Sequence, residues 1–191
     1  MEKINQLRKL LNNHNLDGYI VPKNDEFFGE YIPENKDKLK FISNFSGSYG
    51  FALILKNKNY LFVDGRYSLQ AKMQSGKFFD TITMPQKLPS DILKNKKLKI
   101  GFDPKLYTQK TLDIFFDKTN CQLISIEKNL IDIIWIKREN NNKKKFYILP
   151  KSAIGENYRK KLNQLIGILN KKKIDLQFIT ASENIAWLLN I

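Results

Sequence analysis

Two apolar runs joined by a short polar turn constrain this chain more than any other feature. Phe51-Ala52-Leu53-Ile54-Leu55 is followed by Lys56-Asn57-Lys58-Asn59 and then by Tyr60-Leu61-Phe62-Val63. Runs of this length, rich in β-branched and aromatic residues, are predicted strands, and the polar tetrad between them is a hairpin turn. A Gly- and Ser-rich stretch, Asn44-Phe45-Ser46-Gly47-Ser48-Tyr49-Gly50, feeds the first strand. The second ends abruptly in Asp64-Gly65-Arg66-Tyr67. Gly47 and Gly50 supply backbone freedom at the strand entry. A phosphate cradle would need a following Gly-Lys-Ser/Thr and a helix directly after the glycines, and neither is present.

Around this hairpin, helical and strand patterns interleave. Ile4, Leu7, Leu10 and Leu11 have helical spacing over residues 2–14, and Gly18 is suited to the backbone where Asn15-Leu16-Asp17-Gly18 stops that helix. Tyr19-Ile20-Val21 is a predicted buried strand ended by Pro22, and 25–34 a polar and aromatic loop. Short helices are expected over 36–42 and 67–75. Further strands are expected at 78–84, 98–102 and 122–126. A helix over 108–118 has Thr108 as its cap, and a short apolar helix or turn covers 130–136. This alternation places the chain in the α/β class.

The segment 137–145, Lys-Arg-Glu-Asn-Asn-Asn-Lys-Lys-Lys, is an expected linker between a first domain over 1–136 and a second over 146–191. Beyond it the pattern restarts. A helix over 158–172 carries Leu162, Leu165, Ile166 and Leu169, and Ile174-Asp175-Leu176-Gln177-Phe178-Ile179 follows as a strand. The order helix, apolar residue, Asp, strand, then a polar turn with an acid occurs twice, ending at Asp25 and at Glu183, which suggests an internal repeat. A full second domain needs on the order of 100 residues, so the second copy is expected to be incomplete.

One cysteine, Cys121, excludes an internal disulfide, and with the single histidine, His14, it leaves no zinc-type cluster. The amino terminus lacks an apolar signal core, and no run is long enough to span a bilayer, so a cytoplasmic, reducing location is expected. The net charge of +14 invites a nucleic-acid reading. The positive charge is nearly all Lys, however, scattered along the chain, with only Arg8, Arg66, Arg138 and Arg159 able to grip bases or phosphates bidentately. A solvated lysine surface fits that pattern better.

Several stretches, taken together in order, resemble the amino-terminal region of aminopeptidase P, of the creatinase and prolidase superfamily. They are Leu16 to Pro22, Asp25 to Pro33, Phe41 to Gly50, Val63 to Ala71, Gly101 to Pro104, Asn129 to Trp135 and Ser182 to Ile191. The resemblance implies a creatinase amino-terminal-type domain with a mixed β-sheet flanked by helices, plus the start of a second such domain. It implies a full enzyme with a separate catalytic domain that holds two divalent ions, usually manganese, and removes an N-terminal residue preceding proline. Paired metals would supply hydroxide and polarise the scissile carbonyl. None of the implied catalytic, cofactor or metal residues lies in this chain. Phe27 stands where the family often has His, which removes a polar group from that loop.

What the resemblance leaves to these residues is assembly and gating: a homo-oligomer, expected as a dimer, or a complex with a separately encoded catalytic chain. Arg66, with Tyr67 and Phe45 in the same two stretches, is the candidate contact to a partner subunit's active-site mouth. The competing reading pairs Arg66 with Asp64 to fix the turn after the strand. His14 is expected to be solvated at a helix end, Cys121 to fill core space, and Trp135 and Trp187 to lie in apolar packing. Ser46 and Ser48 lack a nearby base and are expected as turn residues, and Asp64, Asp103 and Asp132 are too scattered to form a metal pair. A stand-alone interaction module and a lysine-rich nucleic-acid binder stay open as alternatives.

Overall fold

The computed structural model describes residues 1–138, 145 and 147–191. The chain divides into two compact units, Met1–Glu26 with Glu30–Asn140, and Phe27–Gly29 with Asn141–Ile191. The linker expected at 137–145 falls, over 139–144, outside the described residues.

The first unit is built on one six-stranded sheet. Its strands are β1 (Gly18–Pro22), β2 (Gly50–Leu55), β3 (Asn59–Asp64), β4 (Asp80–Met84), β5 (Lys99–Phe102) and β6 (Gln122–Ser125), in spatial order β4-β3-β2-β1-β5-β6. The β1/β2 and β2/β3 pairs are antiparallel, and β1/β5, β3/β4 and β5/β6 are parallel, which makes the sheet mixed. Its helices are α1 (Glu2–Asn13), α2 (Lys38–Ser43), α3 (Ser68–Ser75), α4 (Pro89–Leu93), α5 (Gln109–Phe116) and α6 (Leu130–Ile134). The Lys56–Asn59 turn closes the hairpin, with the Leu55 N–H donating to the Lys58 carbonyl at 2.7 Å. Arg8 on α1 braces it, donating to the Leu55 carbonyl and the Asn59 amide oxygen, each at 3.0 Å.

Strand β2 is buried at every position because both faces of the sheet are covered. Ala52 and Ile54 face a cluster with Leu7 and Leu11 of α1, Leu39 of α2, Ala71 of α3 and Ile131 of α6. Phe51 and Leu53 face the other cluster, with Leu93 of α4 and Leu112 and Phe115 of α5. There Phe51 stacks on Phe62 at 4.6 Å and on Phe115 at 4.4 Å. Each buried ring of this kind contributes on the order of 1.5–3 kcal/mol by leaving water.

One local expectation needs correction, and one helix was not foreseen. The left-handed residue after α1 is Asn15, at φ 52°, whose side chain tolerates that region. Gly18 is required for another reason: a Cβ there would lie 2.6 Å from the Leu55 side chain. Helix α4 had no periodicity strong enough to be seen over so few residues. It is set by Pro89 in its first turn and by Asp91, whose carboxylate accepts from the Leu88 N–H at 2.7 Å.

The second unit holds α7 (Tyr158–Lys171) and α8 (Ser182–Leu189). Asn157 caps α7 by accepting from the Arg159 N–H at 2.8 Å. The buried Lys161 ammonium donates at 2.6 Å both to the Trp187 carbonyl, in the last turn of α8, and to the Asn190 side-chain oxygen. Asn190, left-handed at φ 59°, donates in turn to the Glu156 carbonyl at 3.0 Å. A cation at a helix C-terminus is favourably placed against the helix dipole. The strand expected over 174–179 is not formed. Among the described residues no segment pairs with it, and an unpaired run has no ladder to hold it extended. Leu176 and Phe178 are consequently exposed, as is Trp187, against its expected place in apolar packing. The repeat is also imperfect, since Glu183 lies in the first turn of α8 whereas Asp25 lies in a loop.

Candidate functional site

The hairpin brings the two most distinctive stretches to one edge of the sheet, because Gly50 pairs with Val63 across the β2/β3 ladder. The stretch entering β2 and the turn leaving β3 are therefore neighbours. Asn44, left-handed at φ 64°, ends α2 and turns the chain inward. Phe45 is then fully buried, and Tyr67 meets its ring edge-on at 5.8 Å and 79°. Gly47 is compulsory: a Cβ there would lie 2.2 Å from the Phe45 ring and 2.9 Å from Tyr67. Gly50, at φ 155° and with a Cβ position 2.6 Å from the Phe62 carbonyl, lets β2 begin against β3.

The polar groups of the rim are mutually engaged. The Tyr67 hydroxyl and the Ser48 hydroxyl share a hydrogen bond of 2.7 Å. Ser46 takes the Gln74 side-chain oxygen on its N–H at 2.9 Å, and its hydroxyl accepts from Gln70 at 3.0 Å. Arg66 clasps Asp64 through Nε and Nη2, and its backbone N–H also donates to that carboxylate, at 2.8 Å. These bonds hold the Asp64 carboxyl below its ordinary range, the Arg66 guanidinium being the main cause. The Arg66 side chain is nonetheless 73% exposed and stands 5.4 Å from the Tyr67 ring. Arg66, Tyr67 and Phe45 thus form one contiguous group, graded from a solvent-facing cation to a buried ring.

The other singled-out residues lie apart from it. His14 is exposed after α1, with its N–H on the Leu10 carbonyl at 3.0 Å. Cys121 is half-buried against the α4/α5 cluster. Trp135 stacks on Phe41 at 4.6 Å with the Arg138 guanidinium 4.6 Å from its ring. Phe27 is exposed.

The residues present do not fit a two-ion centre. Asp64 is held by Arg66, Asp103 accepts from Asn129 Nδ2 at 2.8 Å and from the Lys105 N–H at 2.9 Å, and Asp132 pairs with Lys38 and Arg138. Among the described residues no group of three or more His, Cys, Asp or Glu side chains is placed to hold a metal ion.

The sequence reading missed a second feature of the same edge. Because β1, β5 and β6 run parallel, the segments that follow them open together onto a polar cavity of about 390 Å³. Its residues are spread over more than 100 positions of sequence, so no local motif announces it.

Comparison with known proteins agrees with this architecture over the whole chain. Two family models described as the creatinase/prolidase N-terminal domain match residues 3–134 and 137–191. A probable Xaa-Pro aminopeptidase P of Laccaria bicolor is 32% identical over all of this chain and 31% of its own length, and one of Coprinopsis cinerea is 32% identical over 97% of this chain and 31% of its own. The crystal structure of X-prolyl aminopeptidase from Caenorhabditis elegans, described as a cytosolic enzyme with a di-nuclear active site, superposes on 99% of this chain with a TM-score of 0.82, 28% identity and 34% coverage of its own chain. The N-terminal domain of the peptidase PepQ from Mycobacterium tuberculosis shares the fold alone, at a TM-score of 0.54 and 19% identity over 70% of this chain and 98% of its own. The chain spans about a third of the length of the curated relatives it matches. With a mixed sheet flanked by helices, the chain belongs to the creatinase/prolidase N-terminal domain family and corresponds to the amino-terminal region of aminopeptidase P.

Proposed function

We propose that these residues are the non-catalytic amino-terminal part of an Xaa-Pro aminopeptidase, acting in assembly and in limiting access of substrate to the catalytic cleft. The observation that carries this is the end-to-end match of the chain to about a third of an enzyme with a di-nuclear site, together with carboxylates already committed to cations and N–H donors. On this reading residues 1–136 and 146–191 are two copies of one domain type, the second completed by polypeptide outside 1–191. The catalytic part, with two divalent ions and Xaa-Pro peptides as its substrates, comes from further residues or from a separately encoded chain. The working form is cytoplasmic and oligomeric, most simply a dimer, and manganese is the metal of the full enzyme.

Within that assembly Arg66, Tyr67 and Phe45 form the contact toward a partner's active-site mouth. Phe45 anchors the ring of Tyr67, and Tyr67 and Asp64 hold the Arg66 guanidinium at the surface. Two tests apply. The purified chain, supplied with manganese, should not hydrolyse an Xaa-Pro peptide; turnover proportional to its concentration would overturn the proposal. At the position equivalent to Arg66 in a full-length relative, substitution by Ala should lower kcat/KM with little change in melting temperature. Unaltered kinetics with a lowered melting temperature would confine Arg66 to fixing the turn.

A further inference from the structure

We infer that the polar cavity at the carboxyl ends of β1, β5 and β6 is a binding site for a small oxyanion, a carboxylate or phosphate group, with the Lys38 ammonium as its anchor. The position is set by topology. From β1 the chain leaves toward β2, and from β5 it leaves toward β6, in opposite directions along the sheet. Beyond the carboxyl ends of two parallel strands whose connections diverge in this way, an α/β sheet has a natural crevice. Glu26, Lys36 and Lys38 reach it after β1, Asp103 and Lys105 after β5, and Lys128, Asn129 and Asp132 after β6.

The chemistry is set by Lys38. Its side chain is only 7% exposed, yet it lines the cavity. An ammonium carries three N–H donors and needs acceptors when removed from water. Among the described residues its one ion-pair partner is Asp132, at 3.5 Å, longer than a good charge-assisted hydrogen bond. That carboxylate is also claimed, at closer range, by Arg138. The cation at the cavity wall is therefore incompletely neutralised and incompletely hydrogen-bonded.

The surrounding acids supply only part of what is missing. Glu26 pairs with Lys36 while its charge also acts on Lys38 from a distance, and Asp103 is occupied by Asn129 and the Lys105 N–H. Glu127 is exposed at the lining. The lining carries five basic and four acidic side chains, and the Lys105 and Lys128 ammoniums have no ion pair among the described residues. An incoming oxyanion would complete the Lys38 donor set and meet these two cations. A cation would meet none of the acids free except Glu127.

The test is titration of the 191-residue chain at low ionic strength with inorganic phosphate and, separately, with acetate, followed by amide chemical shifts of residues 103–106 and 127–132. Saturable shifts confined to these segments are expected with at least one anion, and the stronger of the two identifies the group preferred. Lys38→Met, which replaces a buried ion by an apolar stem of similar reach and is compatible with folding, should weaken binding by about tenfold or more. Asp132→Asn, which frees both Lys38 and Arg138, should tighten it, and this arm stands even where Lys38→Met fails to fold. Lys110→Met, on the exposed face of α5, should change nothing. Non-saturable shifts for both anions, an unchanged affinity in folded Lys38→Met, or no tightening in Asp132→Asn would overturn the inference.

Discussion

Two segments that both read as strands in the sequence end in different states, and the contrast shows what makes a strand. Phe51–Leu55 is short and wholly apolar, and Ile174–Ile179 alternates apolar residues with Asp175 and Gln177. The first is central in a sheet, with β1 and β3 on either side and helices over both faces. The second has no regular structure, and its Phe178 is 79% exposed. A strand is a property of a ladder and a covered face rather than of a sequence run. The second unit is accordingly held by other means: a helix cap at Asn157 and the polar clasp of Lys161 with Asn190 and the end of α8.

The largest expected effect separates the two segments directly. Phe51→Ala should destabilise the first unit by about 3–5 kcal/mol, through the cavity left between Phe62 and Phe115. Phe178→Ala should change stability by no more than about 0.5 kcal/mol. Urea unfolding of both variants checks this, and equal losses would break the comparison. Next in size, Lys161→Met should leave the Trp187 carbonyl and Asn190 oxygen without their donor and cost the α7/α8 pair about 1–3 kcal/mol. Hydrogen exchange should show that loss in the amides of 158–171 and 182–189 while protection of β2 and β3 is unchanged.

The smallest effect concerns pH and sharpens the account of the first unit's edge contacts. The Lys99 N–H, donating at 2.9 Å, and then Lys56, at 2.9 Å, hold the Asp17 carboxyl below its ordinary value. A carboxylate with a lower pKa in the folded chain stabilises the fold above the unfolded value, here near 3.8, and that contribution is lost as pH falls through the folded value. Asp17→Asn should therefore flatten the loss of stability below about pH 4. Since the side chain is one-third exposed, its cost at neutral pH should stay under about 1 kcal/mol.

What was legible in the sequence divides along the same physical line. The hairpin, α1 and α5 follow from periodicity and caps: Thr108 accepts from the Thr111 N–H, as its residue type suggests. The Asp64–Arg66 clasp was also visible, because it spans only two positions. The close approach that requires Gly18, the exposure of Trp187 and the Lys38 cavity were not visible. Each depends on which distant segments meet, and residue type alone carries no record of that. The resemblance to aminopeptidase P succeeded where periodicity could not, since seven weak stretches in a fixed order constrain topology jointly.

The central claim is that the metal chemistry of this family lies outside these residues. Equilibrium dialysis of the purified chain against manganese at neutral pH tests it most directly. The account predicts no pair of ions retained per chain. Two retained ions, lost when Asp64, Asp103 or Asp132 is replaced by Ala, would contradict it.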